Sequence, residues 1–152
     1  MCGIVGGASN RNILPILVEG LRRLEYRGYD SAGVAYKSNG KISLVKNAGR
    51  VEDLADKLNL TKNKASIGIA HTRWATHGIP SEKNAHPHSS KNNIYVVHNG
   101  IIENHYALKE MLKKEGFKFS SQTDTEVIAH LVQHYMEKGK DLDSAVISTI
   151  AK

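Results

Sequence analysis

A layered α+β fold with antiparallel sheet is the architecture this sequence predicts. Two observations carry it. Short apolar runs of strand length intermingle with amphipathic stretches of helix length along the chain. One pair of runs, Ala32 to Lys37 and Ile42 to Lys46, is joined through Ser38-Asn39-Gly40. Asn-Gly between two such runs is the strongest short hairpin signal, and hairpins build antiparallel sheet. The 152 residues suffice for one domain with a real core. No internal repeat, low-complexity tract or linker divides them.

The elements follow in order. Ile4-Val5 between glycines reads as a short buried strand beginning beside Cys2. Gly3, Gly6 and Gly7 do not make G-x-G-x-x-G, so they suggest close backbone approach rather than a nucleotide loop. Asn12 is a plausible N-cap, after which Leu14, Leu17, Val18, Leu21 and Leu24 share one helical face that ends near Gly28. The hairpin comes next. Val51, Leu54, Ala55 and Leu58 then form a short amphipathic helix, and Ile67 to Ala70 is a continuous apolar run of strand length. From Arg73 to Asn93 no period of either kind appears, which predicts a long functional loop. Ile94 to Val97 is the next strand, closed by His98-Asn99-Gly100. Asn104 caps a helix with Leu108, Met111 and Leu112 inward and Gly116 at its end. Phe117 to Ser120 is a brief strand candidate. Thr123-Asp124-Thr125-Glu126 fits a capping box, Thr123 at the N-cap and Glu126 at N3, for a helix bearing Val127, Ile128, Leu131, Val132 and Tyr135. Asp141 starts a last helix carrying Leu142, Val146 and Ile150.

Composition narrows the class. Hydrophobic content of 40% against 24% charged is that of a soluble globular protein. A formal charge of +6 is compatible with nucleic acid, but the lysines are scattered and aromatics are only 6%, without a basic-aromatic stacking pattern, so no nucleic-acid partner is expected. A lone cysteine cannot form an internal disulfide, which fits a reducing, cytoplasmic setting. No secretory signal is evident, and no apolar run approaches membrane-spanning length, so no membrane partner is expected.

Chemistry concentrates at four places. Cys2 becomes an N-terminal residue if Met1 is removed, and it then holds a thiol and a free α-amine. An α-amine titrates near roughly 7.7–8.0, so it can serve as a base beside the nucleophile. His98-Asn99-Gly100 could aim a side-chain amide and a glycine N–H at a developing oxyanion, although the tripeptide alone reads better as a common Asn-Gly turn. In the run from His71 to Gly78, Arg73 could clamp a carboxylate through two parallel hydrogen bonds, against the plainer reading of a surface arginine. Asp124 could bind an ammonium group, and an Arg facing an Asp across a pocket would suit a free α-amino acid. His86 and His88 are two apart and His130 and His134 four apart, but the latter stretch lacks the glutamate of a zinc helix. These histidines are expected at the surface or half-buried, and no metal is expected.

Taken together, CGIVG at 2–6, LRRLEYRGYDSAG at 21–33, GIAHTRWATHG at 68–78, NAHPH at 84–88, VVHNGIIEN at 96–104 and TDTEVIAHL at 123–131 make the chain closely resemble the glutaminase domain of the glucosamine-6-phosphate synthases. These are also called glutamine–fructose-6-phosphate aminotransferases (isomerizing). They are class II glutamine amidotransferases within the N-terminal-nucleophile hydrolases. The resemblance implies a four-layer αββα sandwich with two antiparallel sheets. It implies that Cys2 attacks the side-chain amide of L-glutamine, with its own α-amine as base. Asn99 and Gly100 would form the oxyanion hole. Arg73 would bind the substrate carboxylate and Asp124 its ammonium. Thr76 and His77 would contact glutamine, Trp74 would belong to a closing loop, and Arg27 and Gly28 would support the nucleophile. No metal or organic cofactor would be needed. Residues 1–152 would be the glutaminase domain, incomplete at its C-terminus, without the sugar-isomerase domains that bind fructose 6-phosphate, and a homodimer would form only in the full-length enzyme. The alternative expectation is a non-catalytic fragment that binds glutamine or serves in assembly.

Overall fold

The computed structural model describes residues 2–74 and 78–152. In chain order these form β1 (Gly3–Ala8), α1 (Leu14–Leu24), a 3-10 turn (Glu25–Arg27), β2 (Ser31–Ser38), β3 (Lys41–Ala48), α2 (Val51–Leu58), β4 (Ile67–Arg73), β5 (His88–Ser90), β6 (Ile94–Val96), α3 (His105–Lys114), α4 (Glu126–Glu137) and α5 (Leu142–Ile150). All pairings are antiparallel: one sheet runs β1-β4-β2-β3 and a second pairs β5 with β6. Helices α1 and α2 cover the first sheet, and α4 covers the second. The layers are therefore helix, sheet, sheet, helix.

The amphipathic reading explains the first layer. Leu14, Leu17, Val18 and Leu21 of α1 are fully buried, with Val51, Leu54 and Leu58 of α2 beside them. Pro15 sits in the first turn of α1, where its missing N–H is no loss. Burying each leucine is worth about 1.5–3 kcal/mol. The bidentate Arg22–Glu52 pair linking α1 to α2 is exposed, and such pairs contribute about 0–1 kcal/mol. Apolar burial, not the ion pair, holds the layer. A second apolar cluster joins Leu108 and Leu112 of α3, Phe117, and Val127 and Leu131 of α4.

The hairpin of β2 and β3 turns at Asn39 and Gly40, both at positive φ (50° and 78°), as Asn-Gly demands. The two sheets meet at Gly33 of β2. A Cβ there would lie 2.1 Å from the carbonyl oxygen of His86, so only glycine lets the segment before β5 cross this strand.

Several expectations are corrected. β4 continues through Arg73, so His71, Thr72 and Arg73 are strand residues and not loop. β5 lies inside the stretch expected to be loop throughout; three residues are too few to display a period. Phe117 to Ser120 is not a strand. α1 stops at Leu24, and the 3-10 turn carries the chain to Gly28 at φ 100°. The capping box is not formed, because α4 begins at Glu126 with Thr125 as N-cap. The Glu126 carboxylate instead accepts the backbone N–H and hydroxyl of both Ser120 and Ser121, at 2.6–2.9 Å. Asp141 does cap α5, accepting Ser144 N–H at 2.8 Å, but Leu142, Val146 and Ile150 stay exposed and only Ala145 is buried. No helix among the described residues is long and apolar enough to cross a membrane.

Candidate active site

Separate stretches of the chain converge on one cavity of about 480 Å³, lined among others by Cys2, Arg27, Arg73, Trp74, Asn99, Gly100 and Asp124. Strand register does the gathering. β1 and β4 are antiparallel neighbours with Gly3 opposite Thr72, so the residue before β1 meets the residues at the end of β4. Cys2 Sγ accepts Trp74 N–H at 3.2 Å and lies 3.6 Å from Trp74 O. Asn99 arrives from the end of the second sheet, and its Nδ2 donates to Cys2 O at 3.2 Å. A half-buried cysteine lining the cavity is therefore tied through its own carbonyl to a side-chain amide that lines it too.

Arg73 is not a surface arginine: it is 3% exposed. Its Nη2 donates to Gly78 O at 3.0 Å and its Nη1 to Ile79 O at 3.4 Å, with Asp30 Oδ1 3.5 Å from Nη1. Asp124, 4% exposed, approaches from the segment before α4. Its Oδ2 accepts Ile102 N–H at 2.7 Å and its Oδ1 faces the Thr125 hydroxyl at 3.4 Å. A fixed cation and a fixed anion thus share one concave wall, which is the charge pattern a zwitterion needs.

Trp74 lies over Gly28. A Cβ at Gly28 would fall 2.3 Å from Trp74 Cε3, and the residue holds φ 100°, so glycine is required on both counts. Arg27 lines the cavity beside it. Thr76 and His77, expected to contact a ligand, lie outside the described residues, as does Met1.

The histidines are the largest surprise. His71, His86, His88 and His130 are buried, against the expectation of surface or half-buried positions for the last three. His71 stacks on His86 with ring centroids 4.2 Å apart, and His86 meets His88 edge-on at 4.6 Å. Burial pushes His71 down to about 4, against the hydrogen bond to Asn99, and His88 to about 3. Burial, with His71 and His88 beside it, holds His86 well below the usual imidazole range. Lys46 is brought down to about 8, first by burial, with Glu126 opposing and Arg73 adding. Burial alone would raise the Glu126 carboxyl; the groups donating around it outweigh that and hold it below the usual carboxylate range. His86, Thr123 and Thr125 also line the cavity. Sequence reasoning weighed His86 only as a metal ligand and Thr123 only as a helix cap, because nothing local signals a buried imidazole or which side chains will reach a cavity.

The glutamine amidotransferase domain model matches residues 52–147. Glutamine–fructose-6-phosphate aminotransferase [isomerizing] of Shewanella oneidensis is 58% identical over 99% of this chain and 25% of its own length. The Pseudomonas aeruginosa protein of the same name is 56% identical over 96% of this chain and 24% of its own. The chain thus spans about a quarter of the length of these relatives. Among solved structures, the Bacillus subtilis glutamine phosphoribosylpyrophosphate amidotransferase complexed with ADP and GMP superposes with a TM-score of 0.82 at 27% identity, covering 99% of this chain and 32% of that one. An allosteric regulatory enzyme of purine biosynthesis superposes at 0.78 with 30% identity and the same coverage.

Proposed function

Because the chain belongs to the glutamine amidotransferase family, we propose that it hydrolyses the side-chain amide of L-glutamine to glutamate and ammonia with Cys2 as nucleophile. The observation that carries this reading is the meeting of Cys2 and Asn99 in one cavity whose wall holds Arg73 and Asp124.

With Met1 removed, the Cys2 α-amine takes the thiol proton, directly or through one water, and the thiolate attacks the amide carbon. The carbonyl π electrons move to oxygen, where the Asn99 side-chain N–H and the Gly100 backbone N–H receive the oxyanion. As the C–N bond breaks, the ammonium of Cys2 returns its proton to the leaving nitrogen, releasing ammonia and a γ-glutamyl thioester. Water, deprotonated by the same amine, then cleaves the thioester to glutamate and regenerates the thiol. Arg73 binds the substrate carboxylate and Asp124 its ammonium. Thr76 and His77 contact glutamine, Trp74 closes over it, and Arg27 and Gly28 support the nucleophile. Residues 1–152 act as the glutaminase unit, in the cytoplasm. In the longer protein the ammonia converts fructose 6-phosphate, held by sugar-isomerase domains of a homodimer, to glucosamine 6-phosphate.

Intact-mass measurement and a glutamate-release assay test this together. Methionine-free chain should turn over glutamine and gain one adduct at Cys2 from a diazoketone analogue of glutamine, and Cys2→Ala should do neither. A folded, methionine-free sample that releases no glutamate and takes no adduct would refute the reading.

A further inference from the structure

We propose that His71, backed by His86, is a positioning residue that fixes which end of the Asn99 amide faces the reacting carbon. This rests on the oxyanion role given to Asn99 above. Asn99 is an exposed residue, and its Oδ1 and Nδ2 are nearly the same size. Turned over, it would present a partly negative oxygen to the forming oxyanion and abolish the stabilisation it is there to supply. The Cys2 carbonyl, accepting Nδ2–H at 3.2 Å, makes the two orientations unequal from the cavity side, and a second contact on Oδ1 must do the same from the interior.

His71 does so. Its Nε2 lies 2.8 Å from Asn99 Oδ1. An amide oxygen can only accept, so Nε2 carries the proton and Nδ1 does not. Turning Asn99 would either oppose N–H to N–H or force the imidazole proton onto Nδ1, which is buried and has no acceptor among the described residues, so in both cases a buried donor is left unsatisfied, the expensive outcome for a fully buried group. The imidazole is held for the task. It stands on β4 between two paired strands, opposite Ile4 and Gly33, and its plane is stacked on His86. His86 in turn accepts the His98 backbone N–H at its Nδ1, at 3.3 Å, which anchors the residue before Asn99. Burial keeps His71 uncharged at neutral pH, so it has a single donor and a single tautomer that satisfies the contact. β4 therefore delivers two parts of the site: Arg73 for the substrate and, two residues earlier, the group that orients Asn99.

His71→Leu and His71→Gln in the 152-residue chain, with Met1 removal verified by mass, test this. Removing an oxyanion donor outright costs about 10²–10³ in kcat. His71→Leu should lower kcat for glutamine about 10–100-fold while KM stays within twofold, because Arg73 and Asp124 are untouched. His71→Gln, which can donate from nearly the same place, should recover part of the loss. A folded His71→Leu with unchanged kcat, or with KM rising as kcat falls, or His71→Gln no better than His71→Leu, would overturn the proposal. Nitrogen-15 NMR of the unmutated chain at pH 7.5 decides it even if the variants misfold. His71 should be neutral and protonated on Nε2, and an Nδ1–H or charged ring overturns the proposal. If the unmutated chain turns over no glutamine, the functional reading fails instead, and the tautomer alone judges the positioning.

Discussion

Lowering the pH from 7 to 5.5 should cost this fold a large part of its stability, well before its carboxylates protonate. His71 is brought down to about 4 and His88 to about 3 by burial, and His86 lies lower still. In the unfolded chain each would titrate near roughly 6.5. Below that value the unfolded state binds protons that the folded state refuses, so stability falls as pH falls from the unfolded value toward the folded one. Each group contributes about 1.4 kcal/mol per pH unit in that window. One unit below the unfolded value, three such groups remove about 4 kcal/mol, against a total of about 5–15 kcal/mol for a typical domain. Neighbouring groups titrate elsewhere: Lys46 near 8 and Glu126 below the usual carboxylate range. Urea unfolding followed by far-ultraviolet circular dichroism at pH 7.5, 6.5, 5.5 and 5.0 reads the effect. With a slope of about 2 kcal/mol per molar, the midpoint should fall by about 2 M between pH 7 and 5.5. His88→Gln removes one of the three, so the linked proton uptake should drop from three toward two. A midpoint that does not move over this range, or an unchanged proton count in His88→Gln, would refute the reasoning.

Three further outcomes are expected. Lys46→Met should raise stability at pH 7 by about 1–3 kcal/mol, because it removes a half-buried ammonium whose desolvation is only partly offset by Glu126. It should also abolish the gain in stability that the native chain shows between pH 8 and 10.5, where the folded lysine has lost its proton and the unfolded one has not; urea titrations at pH 7 and 10 measure both. Gly28→Ala should displace Trp74, shift the emission of the only tryptophan, and destabilise by about 1–3 kcal/mol, since the methyl would enter the indole at a positive φ. Asp124→Asn should raise KM for glutamine about 10–100-fold with little change in thermal midpoint, because the amide oxygen can still accept Ile102 N–H while the charge is lost; steady-state kinetics beside a melt separate the two.

The helices of the first layer and the long hairpin were readable from sequence because their causes are local. A leucine every three or four residues faces one side of α1 whatever surrounds it, and Asn39-Gly40 adopts positive φ more readily than other pairs. The residues around the cavity could be named from motif resemblance. Where they stand could not, since Cys2, Arg73, Asn99 and Asp124 meet only through the register of β1 on β4 and the crossing of the second sheet at Gly33. Local rules failed where a distant partner outbid them. Glu126 left its capping box for the amides of Ser120 and Ser121. Arg73 went into the interior beside Asp30, and four histidines lost their solvent. The apolar pattern, acting residue by residue, determines which segments become helix or strand. Burying a charge or an imidazole depends on which groups arrive from elsewhere to satisfy it, and that was decided only when the sheets closed on one another.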